Sequence, residues 1–172
     1  MTHAATKRIG VLLLALVIPA SAALAKDPPP AGTLQPSRIP TQDIPWPQRQ
    51  DAKQEGTSMR QGLQILVVTG DAKRHELYSM LFKVPPNMTI PPHSHPDARA
   101  CFVLSGAWYF AYGAERKEDE LILLPAGSHY TEPAGMNHFA ATRVDGATVE
   151  CTAVGPTGTT FVNPADDPRA KQ

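Results

Sequence analysis

Two stretches decide how this chain is read. One is Ile90-Pro91-Pro92-His93-Ser94-His95-Pro96-Asp97-Ala98-Arg99. The other is Pro125-Ala126-Gly127-Ser128-His129-Tyr130-Thr131-Glu132-Pro133-Ala134-Gly135-Met136-Asn137-His138. His93 and His95 stand two apart in a strand-like context. Residues i and i+2 of a strand point to one face, so both imidazoles can converge on one ion at about 2.1 Å. An H-x-H pair by itself fits two exposed histidines equally well.

Around these stretches the chain reads as β. Short apolar runs lie at 63–68, 77–84, 100–104, 108–112, 121–124, 138–142, 148–154 and 159–162. Turn residues separate them: Gly70-Asp71, Pro85-Pro86-Asn87, Ser105-Gly106, Pro125-Ala126-Gly127, Pro133-Ala134-Gly135 and Asp145-Gly146. About eight short strands at this spacing predict an all-β sandwich or closed barrel. The stretch 115–121 reads as a charged loop rather than a helix.

Taken together, the two stretches resemble the motifs of the cupin superfamily. The first cupin motif runs H-x-H, three or four residues, a glutamate, six residues and a glycine; His93, His95 and Gly106 fit it. The second runs from a glycine across five residues to P-x-G, then two residues, a histidine, three residues and an asparagine. Gly127, Pro133, Gly135 and His138 fit that. The resemblance extends from about Trp46 to the tail at 162–169. With its leader and Leu124-Pro125-Ala126-Gly127-Ser128, the chain looks like a group of small exported bacterial cupins. It implies a cupin-type β-barrel (a double-stranded jelly roll of about eight or more strands) with one divalent metal inside. It also implies dimers, as in many cupins.

The implied ligands are His93, His95 and His138. Iron(II) is favoured, with Mn2+, Ni2+, Cu2+ or Zn2+ as alternatives. Two positions depart from the pattern. Thr142 stands at the asparagine position and Arg99 at the glutamate position. A guanidinium is always protonated and cannot donate a lone pair to a metal. At 4 Å it would repel the ion, by roughly 4 kcal/mol per unit charge at an effective dielectric of 20. Three arrangements are open for Arg99. It turns outward and pairs with Asp97 or Glu132; it lines the pocket and binds a substrate carboxylate bidentately; or it joins the histidines in a metal-free anion pocket. Asp97 shares parity with the histidines, but in a straight strand it would lie about 13 Å from His93. Glu132 and Glu150 are further acids without motif support.

Residues 1–25 read as a secretory signal peptide: Lys7-Arg8, an aliphatic run from Gly10 to Ile18, and Ala23-Leu24-Ala25 before the cut. The apolar run is short for a span of about 20 residues. Cleavage would leave no membrane anchor, a periplasmic or secreted protein, and 14 basic against 16 acidic side chains. That balance argues against nucleic-acid binding. Residues 26–47 hold seven prolines and read as an extended linker, or as an arm anchored by Trp46. The barrel domain is expected at 48–172. Cys101 and Cys151 permit one disulfide or two buried thiols.

Of the remaining candidates, His129 is either a proton shuttle or a strand histidine facing water. Tyr130 has the opposite parity, so at most one of the two faces inward. Among Trp108, Tyr109, Phe110 and Tyr112, one alternating face is expected in the core. Three neutral histidines around a divalent ion leave a charge of about +2, which favours an anionic chelating substrate such as an enolate, catecholate or thiolate. Cupins with three histidines and no glutamate include dioxygenases, so the resemblance favours a metal-dependent dioxygenase or related oxidoreductase. A non-catalytic small-molecule or metal-binding module, and a lyase or isomerase with a histidine base, are the alternatives.

Overall fold

The computed structural model describes residues 34–47 and 62–171. The expected leader at 1–25 and the first part of the proline-rich segment lie outside the described residues. Among those described, no helix is long and apolar enough to cross a membrane.

Nine strands follow in order: β1 (Gln64–Thr69), β2 (Leu77–Val84), β3 (Thr89–Ser94), β4 (Arg99–Tyr112), β5 (Ile122–Pro125), β6 (His129–Glu132), β7 (His138–Ala141), β8 (Ala147–Val154) and β9 (Thr160–Phe161). They form two antiparallel layers that share β4. One runs β1-β2-β8-β4-β6 and the other β5-β4-β7-β3-β9. Tyr78, Val103 and Val149 of the first layer and Ile90, Phe110 and Ala140 of the second fill one core. Each large apolar side chain buried there contributes about 1.5–3 kcal/mol.

The expected turn at Ser105-Gly106 is instead a corner inside a single strand of 14 residues. Residues Arg99 to Gly106 pair with β8, and Ala107 to Phe110 pair with β5. The β4–β8 register shifts between Val103 and Ser105. Gly106 has φ +77°, and a Cβ there would lie 1.9 Å from the carbonyl oxygen of Gly146. Only glycine accepts that approach and that φ. The extra residue also flips parity. Arg99, Cys101 and Val103 are buried before the corner, Trp108 and Phe110 after it.

Two strands, β3 and β6, lie outside the apolar runs, although His93 and His129 stand in a strand-like context. Pro91 and Pro92 obscure the first. They sit where the β3–β7 register shifts, between Ile90 and His93, a place that tolerates missing amide donors. His93 then lies directly across from His138. The charged stretch 115–121 is a loop with one short 3-10 turn at Glu118–Glu120. The described part of the arm lies on the barrel: Gln64 Nε2 donates to the Pro47 carbonyl at 2.7 Å, and Lys83 Nζ sits 5.6 Å from the Trp46 ring centre.

Cys101 and Cys151 face each other across the β4–β8 register, with Cα atoms 4.2 Å apart, and form a disulfide. This resolves the choice the sequence left open, and it excludes Cys101 as a nucleophile. The bond closes a loop of 50 residues, for which chain entropy predicts about 4 kcal/mol of stabilisation. Replacing both cysteines by Ala is therefore expected to lower unfolding free energy by about 2–4 kcal/mol. Urea titration with and without reductant checks this. Reductant should weaken the wild type by a similar amount and leave the double variant unchanged.

Candidate metal centre

His93 comes from β3, His95 from the residue just beyond it, and His138 from the start of β7. All three are buried, and one nitrogen from each lies within 4.8 Å of the others. The opposite ring nitrogens explain the orientation. Nδ1 of His93 meets the Pro91 carbonyl at 2.8 Å, Nδ1 of His95 meets that of Gly158 at 2.6 Å, and Nδ1 of His138 meets that of Met136 at 3.0 Å. A carbonyl only accepts, so each Nδ1 carries a proton, and Nε2 is the ring atom left to ligate a metal. Nε2 of His138 is buried without a hydrogen-bond partner. Leaving a buried acceptor unsatisfied costs about 1–3 kcal/mol, and a divalent cation at the convergence of the three rings removes that cost. The residues present thus fit a mononuclear metal. Burial first, then the Arg99 charge, then the neighbouring imidazoles hold His95 well below the ordinary histidine range, so its ring is neutral.

The two motifs are joined by backbone as well. The Gly135 amide donates to the His95 carbonyl at 2.8 Å, within the turn that closes on Pro133. Thr142, at the asparagine position, is a clamp. It accepts from the Met88 amide at 3.0 Å and donates to the Pro85 carbonyl at 2.6 Å, tying down the β2–β3 loop.

Arg99 does not turn outward. It is buried and lies directly across from Glu132 of β6. Nε donates to Asp97 Oδ2 at 3.1 Å, Nη1 to Glu132 Oε2 at 3.3 Å, and Nη2 to the Thr157 hydroxyl. Thr157 in turn donates to Asp97 Oδ1 at 2.7 Å, and the Tyr78 hydroxyl donates to Asp97 Oδ2. Burial opposes the guanidinium charge, but Glu132 and the other acidic partners outweigh it and hold Arg99 above its ordinary value. Burial likewise opposes ionisation of Asp97. The Arg99 charge and the donors from Tyr78, Arg99 and Thr157 prevail, and its carboxyl titrates below the usual value. Burial pushes the Tyr78 hydroxyl up to about 12, so it stays a donor. Asp97 is thus spent on this network and not turned to the histidines.

Glu132 is the residue the motifs missed. Its Oε2 lies 3.6 Å from His95 Nε2 and its Oε1 3.8 Å from His138 Nε2. The signal available in the sequence was parity alone: Glu132 faces the same way as Tyr130 and opposite to His129. Tyr130 is indeed the inward residue, its phenol pushed well above the ordinary value by burial and then by the Glu132 charge. His129 is exposed, with its ring 4.8 Å from that of Phe102, so it does not approach the cavity. Trp108 and Phe110 are core, and Tyr112 is exposed. His75 is exposed, with Nδ1 3.0 Å from the Gly155 carbonyl.

A cavity of about 440 Å3 including its mouth opens over the imidazoles. Leu63, Phe82, Val84, Ile90 and Val149 form apolar walls, with Trp108, Phe110, Tyr130, Glu132 and Arg99 among the remaining lining. The indole nitrogen of Trp108 is buried without a partner in good hydrogen-bond geometry.

Two facing β layers and an inward cluster of histidines define a cupin barrel. The sequence from 37 to 156 matches the family described as the ChrR cupin-like domain, and the chain belongs to that family. Comparison with curated proteins gave no match. Among solved structures the fold is similar to the polyketide cyclase RemF of Streptomyces resistomycificus, at TM-score 0.56 and 16% identity, covering 80% of this chain and 94% of that one. It is similar to the DMSP lyase DddQ of Ruegeria pomeroyi DSS-3 at TM-score 0.52 and 17% identity, covering 67% and 59%. It is also similar to KdgF of Halomonas sp. at TM-score 0.50 and 20% identity, covering 70% and 96%. At these identities the likeness concerns the fold alone.

Replacing Arg99 by Met would leave Asp97 and Glu132 buried without their common cation. Breaking such a cluster costs about 3–5 kcal/mol, so R99M is expected to lose that much in a urea denaturation followed by tryptophan fluorescence. A loss below about 1 kcal/mol would place the cluster with exposed ion pairs instead.

Proposed function

We propose that this protein is an exported mononuclear metalloenzyme that oxidises a small anionic, chelating substrate with dioxygen. The observation that carries the reading is the set of three imidazoles, each turned by a carbonyl at Nδ1 so that its Nε2 lone pair faces a common point beneath an apolar cavity. When bound there, the metal supplies Lewis acidity and, as iron, redox chemistry toward dioxygen. The chain supplies the rest. Leu63, Val149 and Phe110 exclude water from the substrate body. The Trp108 N–H, next to the Tyr130 phenol, and that protonated phenol are polar groups on the same wall that a substrate oxygen could meet.

Arg99 is held by Asp97, Glu132 and Thr157, and is therefore a poor partner for a substrate carboxylate. Its charge and that of Asp97 cancel. With Glu132 beside the ion the site carries about +1 rather than about +2, which still suits a monoanionic head group such as an enolate, catecholate or thiolate. The Cys101–Cys151 disulfide supports an oxidising compartment. A second reading, a metal-assisted lyase or isomerase, draws on Glu132: a carboxylate beside the imidazoles is a candidate base.

Elemental analysis of the purified native protein is expected to give about one divalent metal per chain. H138A is expected to lose it on gel filtration. Oxygen uptake on a panel of diketones, catechols and thiols should then reveal turnover. Turnover that persists without oxygen would favour the lyase reading. Retained metal with no turnover on any substrate would favour a binding module, and a metal-free native protein that cannot be reloaded would overturn the metalloenzyme.

A further inference from the structure

We propose that Glu132 is the fourth protein ligand of the metal, so that the carboxylate missing from position 99 is delivered instead by the neighbouring strand. The inference rests on the metal centre proposed above. Arg99 of β4 and Glu132 of β6 are register partners with both side chains inward. Adjacent strands lie about 4.8 Å apart, so a carboxylate on either can be aimed at the same point.

Glu132 lies near two of the three imidazoles, and a small rotation of its side chain would bring one oxygen to the ion they share. Two atoms that each sit about 2.1 Å from one tetrahedral ion are about 3.4 Å apart. Glu132 Oε2 stands 3.6 Å from His95 Nε2, and its other oxygen, Oε1, stands 3.8 Å from His138 Nε2; both are too long for hydrogen bonds.

Lone-pair direction makes the argument sharper. The Nδ1 atoms of His95 and His138 are turned to carbonyls, so their Nε2 atoms are the ones that face the Glu132 carboxylate. His138 Nε2 is buried with no partner. Acceptors that converge in a buried space repel one another unless a cation lies between them. Arg99 approaches one oxygen, Oε2, and is itself fixed by Asp97 and Thr157. Oε1, the oxygen nearer His138, is free of that contact.

The test uses the full-length protein stripped with a chelator and reloaded. Zn2+ affinity is measured in competition with a chromophoric chelator, and Co2+ is added separately to record its visible absorption. E132Q keeps the shape of the side chain and an oxygen for Arg99. It is expected to weaken Zn2+ binding by at least about tenfold and to change the Co2+ bands. Binding within twofold of wild type, with the same Co2+ spectrum, would overturn the assignment whatever happens to turnover. Should E132Q not fold, an infrared difference spectrum of the wild type with and without Zn2+ decides. A shifted carboxylate stretch supports the ligand, and its absence overturns it. Wild type that takes up neither metal would overturn the metal centre itself, an outcome distinct from failure of Glu132 alone.

Discussion

At Gly106 the carbonyl oxygen of Gly146 occupies the space of a side chain, and the backbone adopts a φ that L residues avoid. Much of the barrel follows from this contact. Because β4 bends there, one strand serves both layers. Because the register shift just before the bend, between Val103 and Ser105, inserts a residue, the inward set changes from odd to even positions, and Arg99 and Trp108 come to line the same cavity. A straight strand of regular alternation would have sent Trp108 and Phe110 to the opposite face from Arg99 and Cys101.

The buried charges are a second level of organisation. Arg99 meets Asp97 and Glu132 out of water, where isolated ions would be severely destabilised. Each member is acceptable because the others are present and because Tyr78 and Thr157 supply the remaining hydrogen bonds. The arginine at the usual ligand position is therefore compatible with a metal. Its charge is directed to carboxylates, and the three imidazoles are oriented by backbone carbonyls.

The sequence disclosed these features unevenly. His93, His95 and His138 could be read because the two motifs hold them at fixed spacing within local turns. Thr142 could be placed but not interpreted, since its role is a clamp on a loop more than 50 residues away. The continuity of β4 was hidden because Ser105-Gly106 has the composition of a turn, and a glycine corner looks the same in one dimension. β3 carries no apolar run, and its two prolines at a register shift left only the histidine parity to mark it. Glu132 could be named as a partner for Arg99 but not chosen over other acids, for a different reason. Its relation to Arg99 is a cross-strand register, visible only when β4 and β6 are paired. The inward burial of Arg99 depends on Asp97, Glu132 and Thr157 together, and spacing does not signal that the three converge.

The three carbonyls that orient the histidines are not equivalent. Pro91 and Met136 each stand two residues before the ring they hold, so His93 and His138 bring their own alignment with them. His95 borrows its alignment from Gly158, 63 residues further along, in the segment that leads into β9. That remote peptide acts as a tuning screw. Sequence drift between β8 and β9 would rotate one of the three imidazoles while the other two kept their aim and all three histidines stayed as they were.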